Sequence, residues 1–262
     1  MTASARPVAL VTGGGTGVGA AAAVGFAARG CHVAINYASS AAEAEATAEA
    51  CRAHGVEALV LQGDVAEDAD CRRMAEATAE RWGRIDALVN NAGVTLFAPL
   101  ADLAAQNEAD FLRIYRVNVL GAYQMARAAA PWLEASGAGA VVNVSSMSAV
   151  TGMGSSIPYA ASKGALDTLT LSLARALAPK VRVNAVLPGM IATGWFEKGL
   201  GADAARATRA RAEAGAALGA VCTAEDVAGT VLFLALDAIR MTGQLVQLDA
   251  GATLGPPAPK PG

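Results

Sequence analysis

Seven short apolar runs punctuate this chain, and each is near-continuous rather than alternating: Val8–Val11, Val33–Ile35, Ala58–Leu61, Ala87–Asn90, Ala140–Val144, Val181–Val186 and Gln244–Leu248. A strand with one wet face alternates apolar and polar residues, so an unbroken run belongs in a sheet covered on both sides. Between the runs lie alanine-rich stretches with helical patterning, among them Ala20–Arg29, Ala41–Arg52, Asp70–Trp82, Glu108–Leu133 and Tyr159–Leu177. Parallel strands joined by helical crossovers wind right-handed, which leaves few topologies to consider. The pattern predicts an α/β fold: one doubly wound parallel sheet of about seven strands, with helices on both faces.

No linker or internal repeat divides the 262 residues, so one domain is expected. Two places depart from the alternation: an insertion over 190–218, and a Pro-rich tail over 255–262 that reads as flexible. Hydrophobic residues make up 54%, charged residues 16%, and the formal net charge is -3, which gives no footprint for nucleic acid. No run reaches the ~20 apolar residues of a spanning helix, so no membrane partner is expected. Met1 to Pro7 lacks the long apolar core and cleavage site of a signal peptide, and a cytoplasmic location is the resulting expectation. Cys31, Cys51, Cys71 and Cys222 form no CxxC pair, and neither His32 nor His54 stands at metal-ligand spacing from them. Reduced, buried thiols are predicted, with no metal site.

Two motifs carry chemistry. Thr12-Gly-Gly-Gly-Thr-Gly-Val-Gly19 falls where the first run gives way to the first helix, the place for a phosphate cradle. Glycines let backbone approach a pyrophosphate, and a helix N-terminus offers free N–H groups and a partial positive charge. Tyr159 and Lys163 stand one helical turn apart, thirteen residues after Ser146. A free phenol ionises near pH ~10, and a neighbouring ammonium is expected to bring that value down toward neutrality. Pro158 suits the first turn of the helix that carries the pair.

Four further motifs follow in order: Asp64-Val65, Asn90-Asn-Ala-Gly93, Asn118, and Pro188-Gly189 leading to Thr193. Taken together, the ordered set resembles the short-chain dehydrogenase/reductase family over nearly the whole chain, and within it the 3-oxoacyl-acyl-carrier-protein reductases. The resemblance implies a Rossmann-type dinucleotide-binding and catalytic domain over 1–262, with 190–218 as a substrate loop. It assigns Tyr159 as general acid/base and Ser146 as the residue that holds the substrate oxygen, with Ser145 as the competing serine. It gives Lys163 two tasks, tuning Tyr159 and bonding the nicotinamide ribose. Asn118 would mark a helix irregularity that links Lys163 to solvent.

For the cofactor, the resemblance implies contacts from Gly13, Thr16, Gly17, Val18 and Gly19 in the first turn. Asp64 and Val65 would meet adenine, although Asp64 could equally cap the next helix. Asn91, Ala92 and Gly93 would pass the ribose, and Pro188, Gly189, Ile191 and Thr193 would hold the carboxamide. The segment Asn36, Tyr37, Ala38, Ser39, Ser40 ends the second strand without the carboxylate that selects NAD(H). NADP(H) is therefore favoured, though no arginine or lysine stands there, so NAD(H) is the alternative. Met147, Met153, Met190, Trp195 and Phe196 are candidates for the wall of an apolar pocket, with core packing an equal reading for each. Three glycines around Trp195 and Phe196 suit a mobile lid over Gly194–Gly201. A small carbonyl or alcohol substrate is expected, and a homotetramer pairing the two long helices, with a dimer second. The runner-up functions are an NAD-dependent sugar or steroid alcohol dehydrogenase and a catalytically silent dinucleotide-binding protein.

Overall fold

The computed structural model describes residues 6–257. Strands β1 (Val8–Val11), β2 (His32–Tyr37), β3 (Ala58–Gln62), β4 (Ala87–Asn90), β5 (Gly139–Val144), β6 (Val181–Pro188) and β7 (Leu245–Leu248) form one sheet in the order β3-β2-β1-β4-β5-β6-β7. Every pairing is parallel. The helices are α1 (Gly17–Ala28), α2 (Ala41–Arg52), α3 (Asp68–Trp82), α4 (Glu108–Tyr115), α5 (Ala122–Ala135), the short α6 (Ser148–Thr151), α7 (Ile157–Leu177), α8 (Trp195–Leu200), α9 (Ala202–Gly215) and α10 (Ala224–Leu232).

Strand β1 shows why its sequence is apolar without a break. Ala9 and Val11 join Phe26 of α1 and Val231 of α10 in one buried cluster. Leu10, between them, joins Met74 of α3 and Met125 of α5 in the other. Successive side chains point to opposite faces, and helices cover both. Several strands outrun their apolar cores: β2 continues through polar Asn36 because the ladder with β3 extends to Asn36↔Leu61 and Tyr37↔Gln62.

The stretch 108–133 is not one α-helix, and its break falls at Asn118, where the resemblance implies an irregularity. A π-helical turn, Arg116–Gly121, separates α4 from α5 and contains Asn118. The 190–218 insertion folds as α8 and α9, and it is thinly anchored: α8 buries no residue and α9 buries only Ala205. Of the tail 255–262, residues 258–262 lie outside the described residues, as do residues 1–5 of the N-terminal segment. The four cysteines are buried and free. Among the described residues no helix is long and apolar enough to cross a membrane, and no cluster of His, Cys, Asp or Glu could hold a metal.

The sheet order reverses between β1 and β4. The connection from β1 runs toward β2 on one side, while β4 continues toward β5 on the other, opening a crevice at the strands' C-terminal ends. Every motif found in the sequence lies at or near that edge.

Candidate active site

The floor of the crevice is stitched by side chains that bond to backbone. Thr12 Oγ1 accepts from the amides of Asn91 and Ala92, each at 3.0 Å, and donates to the Val89 carbonyl. Asn91 Nδ2 returns bonds to the carbonyls of Thr12 and Gly13. The loop after β1 is thus locked to the loop after β4. Gly13 holds a left-handed φ of 59°, and a Cβ on Gly19 would stand 2.2 Å from the Gly13 carbonyl oxygen, so only glycine closes this turn. Thr16, the N-cap of α1, makes no side-chain cap bond, which leaves the first-turn amides without a side-chain acceptor. Thr193 reaches the same turn from β6: its Cγ2 would lie 3.7 Å from a Cβ on Gly17.

Asn36 is a correction. The sequence places it among the cofactor contacts, but its side chain is 1% exposed. Its Oδ1 accepts from Gly13 N at 3.2 Å and its Nδ2 donates to the Gly63 carbonyl at 2.9 Å. It holds the glycine-rich turn against β3 rather than facing a ligand. Val18 likewise sends its side chain into the core, with only its backbone at the turn. Asp64 is not the cap of α3, which is Glu67; its carboxylate closes a local turn onto the Ala66 amide and is exposed.

Across the crevice, α7 begins where its sequence says it should. Ser156 caps it by accepting from Tyr159 N, and Pro158 fills the first turn. The Ile157 amide is held by Gln106 Oε1 at 2.8 Å. These contacts fix Tyr159 at the helix start, facing the end of β5. Of the two serines there, Ser145 is buried and turns its hydroxyl toward the Lys163 carbonyl. Ser146 instead lies near the Tyr159 phenol, where its hydroxyl favours the phenolate, and donates to Ser148 Oγ at 3.0 Å. Geometry therefore separates two serines that sequence leaves in competition.

Lys163 is 5% exposed; its Nζ donates to the Val144 carbonyl at 2.8 Å and lies 5.6 Å from the Tyr159 ring centroid. Burial pushes the ammonium down to about 8, with the Asp167 carboxylate working against that fall. The phenol moves contrary to expectation: burial pushes Tyr159 up, and the opposing pull comes from Ser146. Desolvation of the phenolate outweighs the neighbours that favour it.

Asn118 sits behind this group. The π turn directs its side chain to Val94, where Oδ1 accepts from the amide at 2.8 Å and Nδ2 donates to the carbonyl at 3.0 Å. Nδ2 also donates to Ser162 Oγ. A Cβ on Gly93 would lie 3.4 Å from Asn118 Oδ1 and 3.8 Å from Lys163 Nζ, so the three meet at one point. An inserted helical residue commonly marks a functional site, and here it aims one amide.

The roof is formed by residues that sequence reasoning finds only in part. The strap after β4 is pinned by Asn118 at Val94 and by Ser155, whose carbonyl accepts from Ala98 N at 2.9 Å. Phe97 in this strap packs edge-on against Phe196 of α8, at 5.8 Å between centroids, and its ring lies against Gly199. Nothing local in the sequence distinguishes Phe97. Trp195 and Met153 are exposed and Met190 part-buried, whereas for Met147 the core reading holds and the pocket-wall reading does not: it is 7% exposed and packs on Ala185 and Leu187.

Comparison with known proteins agrees with this geometry. The family profile described as enoyl-(acyl carrier protein) reductase matches residues 13–253. The chain is 43% identical over 248 residues to a candidate ketoacyl reductase 2 of the granaticin polyketide synthase from Streptomyces violaceoruber, covering 95% of this chain and 96% of that one. It is 37% identical to L-rhamnose 1-dehydrogenase (NAD(P)(+)) from Sphingomonas sp., covering 92% and 94%. A crystal structure of a candidate short-chain dehydrogenase/reductase from Burkholderia xenovorans superposes with a TM-score of 0.90 at 42% identity, over 97% of this chain and all of that one. The chain is therefore an enzyme of the short-chain dehydrogenase/reductase family, oxidoreductases that use a nicotinamide dinucleotide.

Proposed function

We propose that this enzyme interconverts a small-molecule carbonyl and a secondary alcohol, with NADP(H) as the preferred cofactor and the cytoplasm as its setting. The observation that carries the reading is the meeting of Ser146, Tyr159 and Lys163 at the end of β5, with Asn118 and Gly93 behind them. The residues of the crevice fit a dinucleotide: glycine at 19 lets the turn from Gly13 pack tightly onto the start of α1, whose first-turn amides no side chain caps. Gly13, Thr16, Gly17 and Gly19 would hold the pyrophosphate, Asp64, Val65 and Asn91–Gly93 the adenosine side, and Pro188–Thr193 the nicotinamide side. When bound, the nicotinamide supplies or accepts the hydride.

The protein's own residues do the rest. Ser146 positions the substrate oxygen, and Tyr159 gives that oxygen its proton in reduction and removes one in oxidation. The raised phenol suits the acid role, because it keeps the proton in place until negative charge develops on the oxygen. Lys163 holds positive charge beneath the ring, and Asn118 connects that charge to the strap at Val94. Phe97, Phe196, Trp195, Met153 and Met190 form an apolar approach to the oxygen.

Support for NADP(H) comes from the end of β2. Ser40 starts α2 without spending its hydroxyl as a cap, and Ser39 is exposed beside it. NAD(H) is favoured instead by Glu43 in the first turn of α2 and by the lack of a basic residue over 36–40. The apolar residues Phe111, Leu112, Leu120, Tyr123 and Leu171, exposed along α4, the π turn, α5 and α7, support a homotetramer.

The decisive experiment is a panel of ketones and secondary alcohols assayed with NADPH and NADH. Wild type should turn over with NADPH at higher kcat/KM, and Tyr159→Phe should lose ~10²–10⁴-fold in kcat while binding dinucleotide normally. No turnover across the panel would leave only a silent dinucleotide binder.

A further inference from the structure

We propose that Asp167 is a positioning residue for Lys163, a buried carboxyl that keeps the ammonium charged and in place under Tyr159. Tyr159, Lys163 and Asp167 follow at four-residue intervals along one face of α7. The helix turns this face inward: Lys163 is 5% exposed and Asp167 6%. A buried aspartate is rare without a partner or a task. The Ser145 hydroxyl lies near the carboxyl but donates to the Lys163 carbonyl, and the buried Oδ1 of Asp167 has no hydrogen-bond partner. An acid placed there only to be satisfied would not leave an oxygen idle, whereas one placed for its field on the adjacent ammonium needs no direct bond.

The surroundings of Lys163 leave this task to Asp167 alone. Strand β5 offers it the Val144 carbonyl, the loop after β4 offers Gly93, and the π turn offers Asn118; none carries charge. The ionisable groups facing it are Tyr159 and Asp167, both on its own helix. Asp167 in turn faces Lys163 and the Ser145 hydroxyl. Burial drives the ammonium toward its neutral form and the carboxylate opposes this, so the charge on Lys163 is set by a competition that Asp167 moderates. Burial pushes the Asp167 carboxyl up, and the Ser145 hydroxyl and the Lys163 ammonium oppose that rise, so the serine that the chemistry does not use gains a role in favouring the carboxylate.

The proposal rests on Lys163 serving Tyr159, but its test reads Lys163 directly. The chain has four lysines, Lys163, Lys180, Lys198 and Lys260, so side-chain NMR of protein carrying carbon-13 at Lys Cε gives a sparse spectrum, with Lys163 assigned by Lys163→Arg. Wild-type Lys163 should titrate near 8. In Asp167→Asn, which preserves shape, the titration should move to lower pH, and the high-pH fall of the kcat profile should move with it. A midpoint lower by about one pH unit leaves about tenfold less ammonium at high pH. An unchanged Lys163 titration in folded Asp167→Asn would overturn the proposal, even if stability fell. Should that variant not fold, Ser145→Ala weakens the carboxylate without removing it and should produce a smaller change in the same direction; no change would overturn the proposal equally. If wild type proved inactive on every substrate, the functional reading would fail while the NMR titration still decided this one.

Discussion

The two sides of the crevice are built by different rules. The floor, between β1 and β4, is held by side chains bonded to backbone: Thr12 and Asn91 cross-tie two loops, and Asn36 ties a third. The roof, α8 and α9, buries one residue in two helices and meets the strap through Phe97, Phe196 and Gly199. A floor of this kind fixes backbone donors that every dinucleotide shares, and side-chain substitutions would disturb it little unless they break a tie. A roof held by a few aromatic contacts can open, and can change its substrate without touching the floor.

The largest expected effect tests whether the floor is as rigid as its bonds suggest. Gly19→Ala places a Cβ 2.2 Å from the Gly13 carbonyl oxygen and 2.5 Å from Asn91 Nδ2. Backbone cannot yield as a flexible side chain does, so the turn must reshape, at a cost of ~1–3 kcal/mol or more. We expect dinucleotide Kd to rise at least about tenfold, measured by fluorescence titration, together with a lower Tm. A wild-type Kd would mean that the cradle tolerates movement, and the contrast with the roof would collapse.

A smaller effect isolates the cross-tie. Thr12→Val keeps the shape of the side chain but removes the acceptor for the Asn91 and Ala92 amides. The Asn91 amide still donates to the Val89 carbonyl at 3.2 Å, so only the part-buried Ala92 amide is left unpaired, at the lower end of the ~1–3 kcal/mol such a group costs. Tm should fall by roughly 2–4 °C per kcal/mol in a chain of this size. Because Val89 O still accepts from Thr12 N as well, the fall should come from the Ala92 amide alone.

The same contrast explains what can be read in the sequence. The glycine spacing, Tyr159, Lys163 and Ser146 are legible because each motif is local and its chemistry is specific to residue type. Asn36 is misread because its role lies in bonds to Gly13 and Gly63, which only the sheet brings together. Met147 stays undecided between wall and core for a similar reason: what buries it is β6, not its own loop. Spacing gives Tyr159 the wrong direction of shift because it reveals a neighbouring charge but not desolvation. Asp167 escapes notice since an acid on a helix usually faces water, and only burial marks this one. Sequence thus describes the groups and the fold, while burial decides what several of those groups do.

The smallest expected effect belongs to the roof. In Gly199→Ala the new Cβ would stand 2.0 Å from Phe97 Cε2 and 2.1 Å from its Cδ2, so the ring must leave or α8 must lift. Either outcome breaks the edge-on contact with Phe196, worth ~0.5–1.5 kcal/mol, which corresponds to a KM increase of about 2- to 10-fold. Dinucleotide Kd should stay at the wild-type value, because none of the bonds in the floor involves α8. Limited proteolysis supplies an independent reading: cleavage over 194–201 should be faster in the variant, and in wild type it should slow when dinucleotide is added. Equal weakening of substrate and dinucleotide would show that roof and floor move as one body, and would make Phe97 part of the cradle rather than its lid.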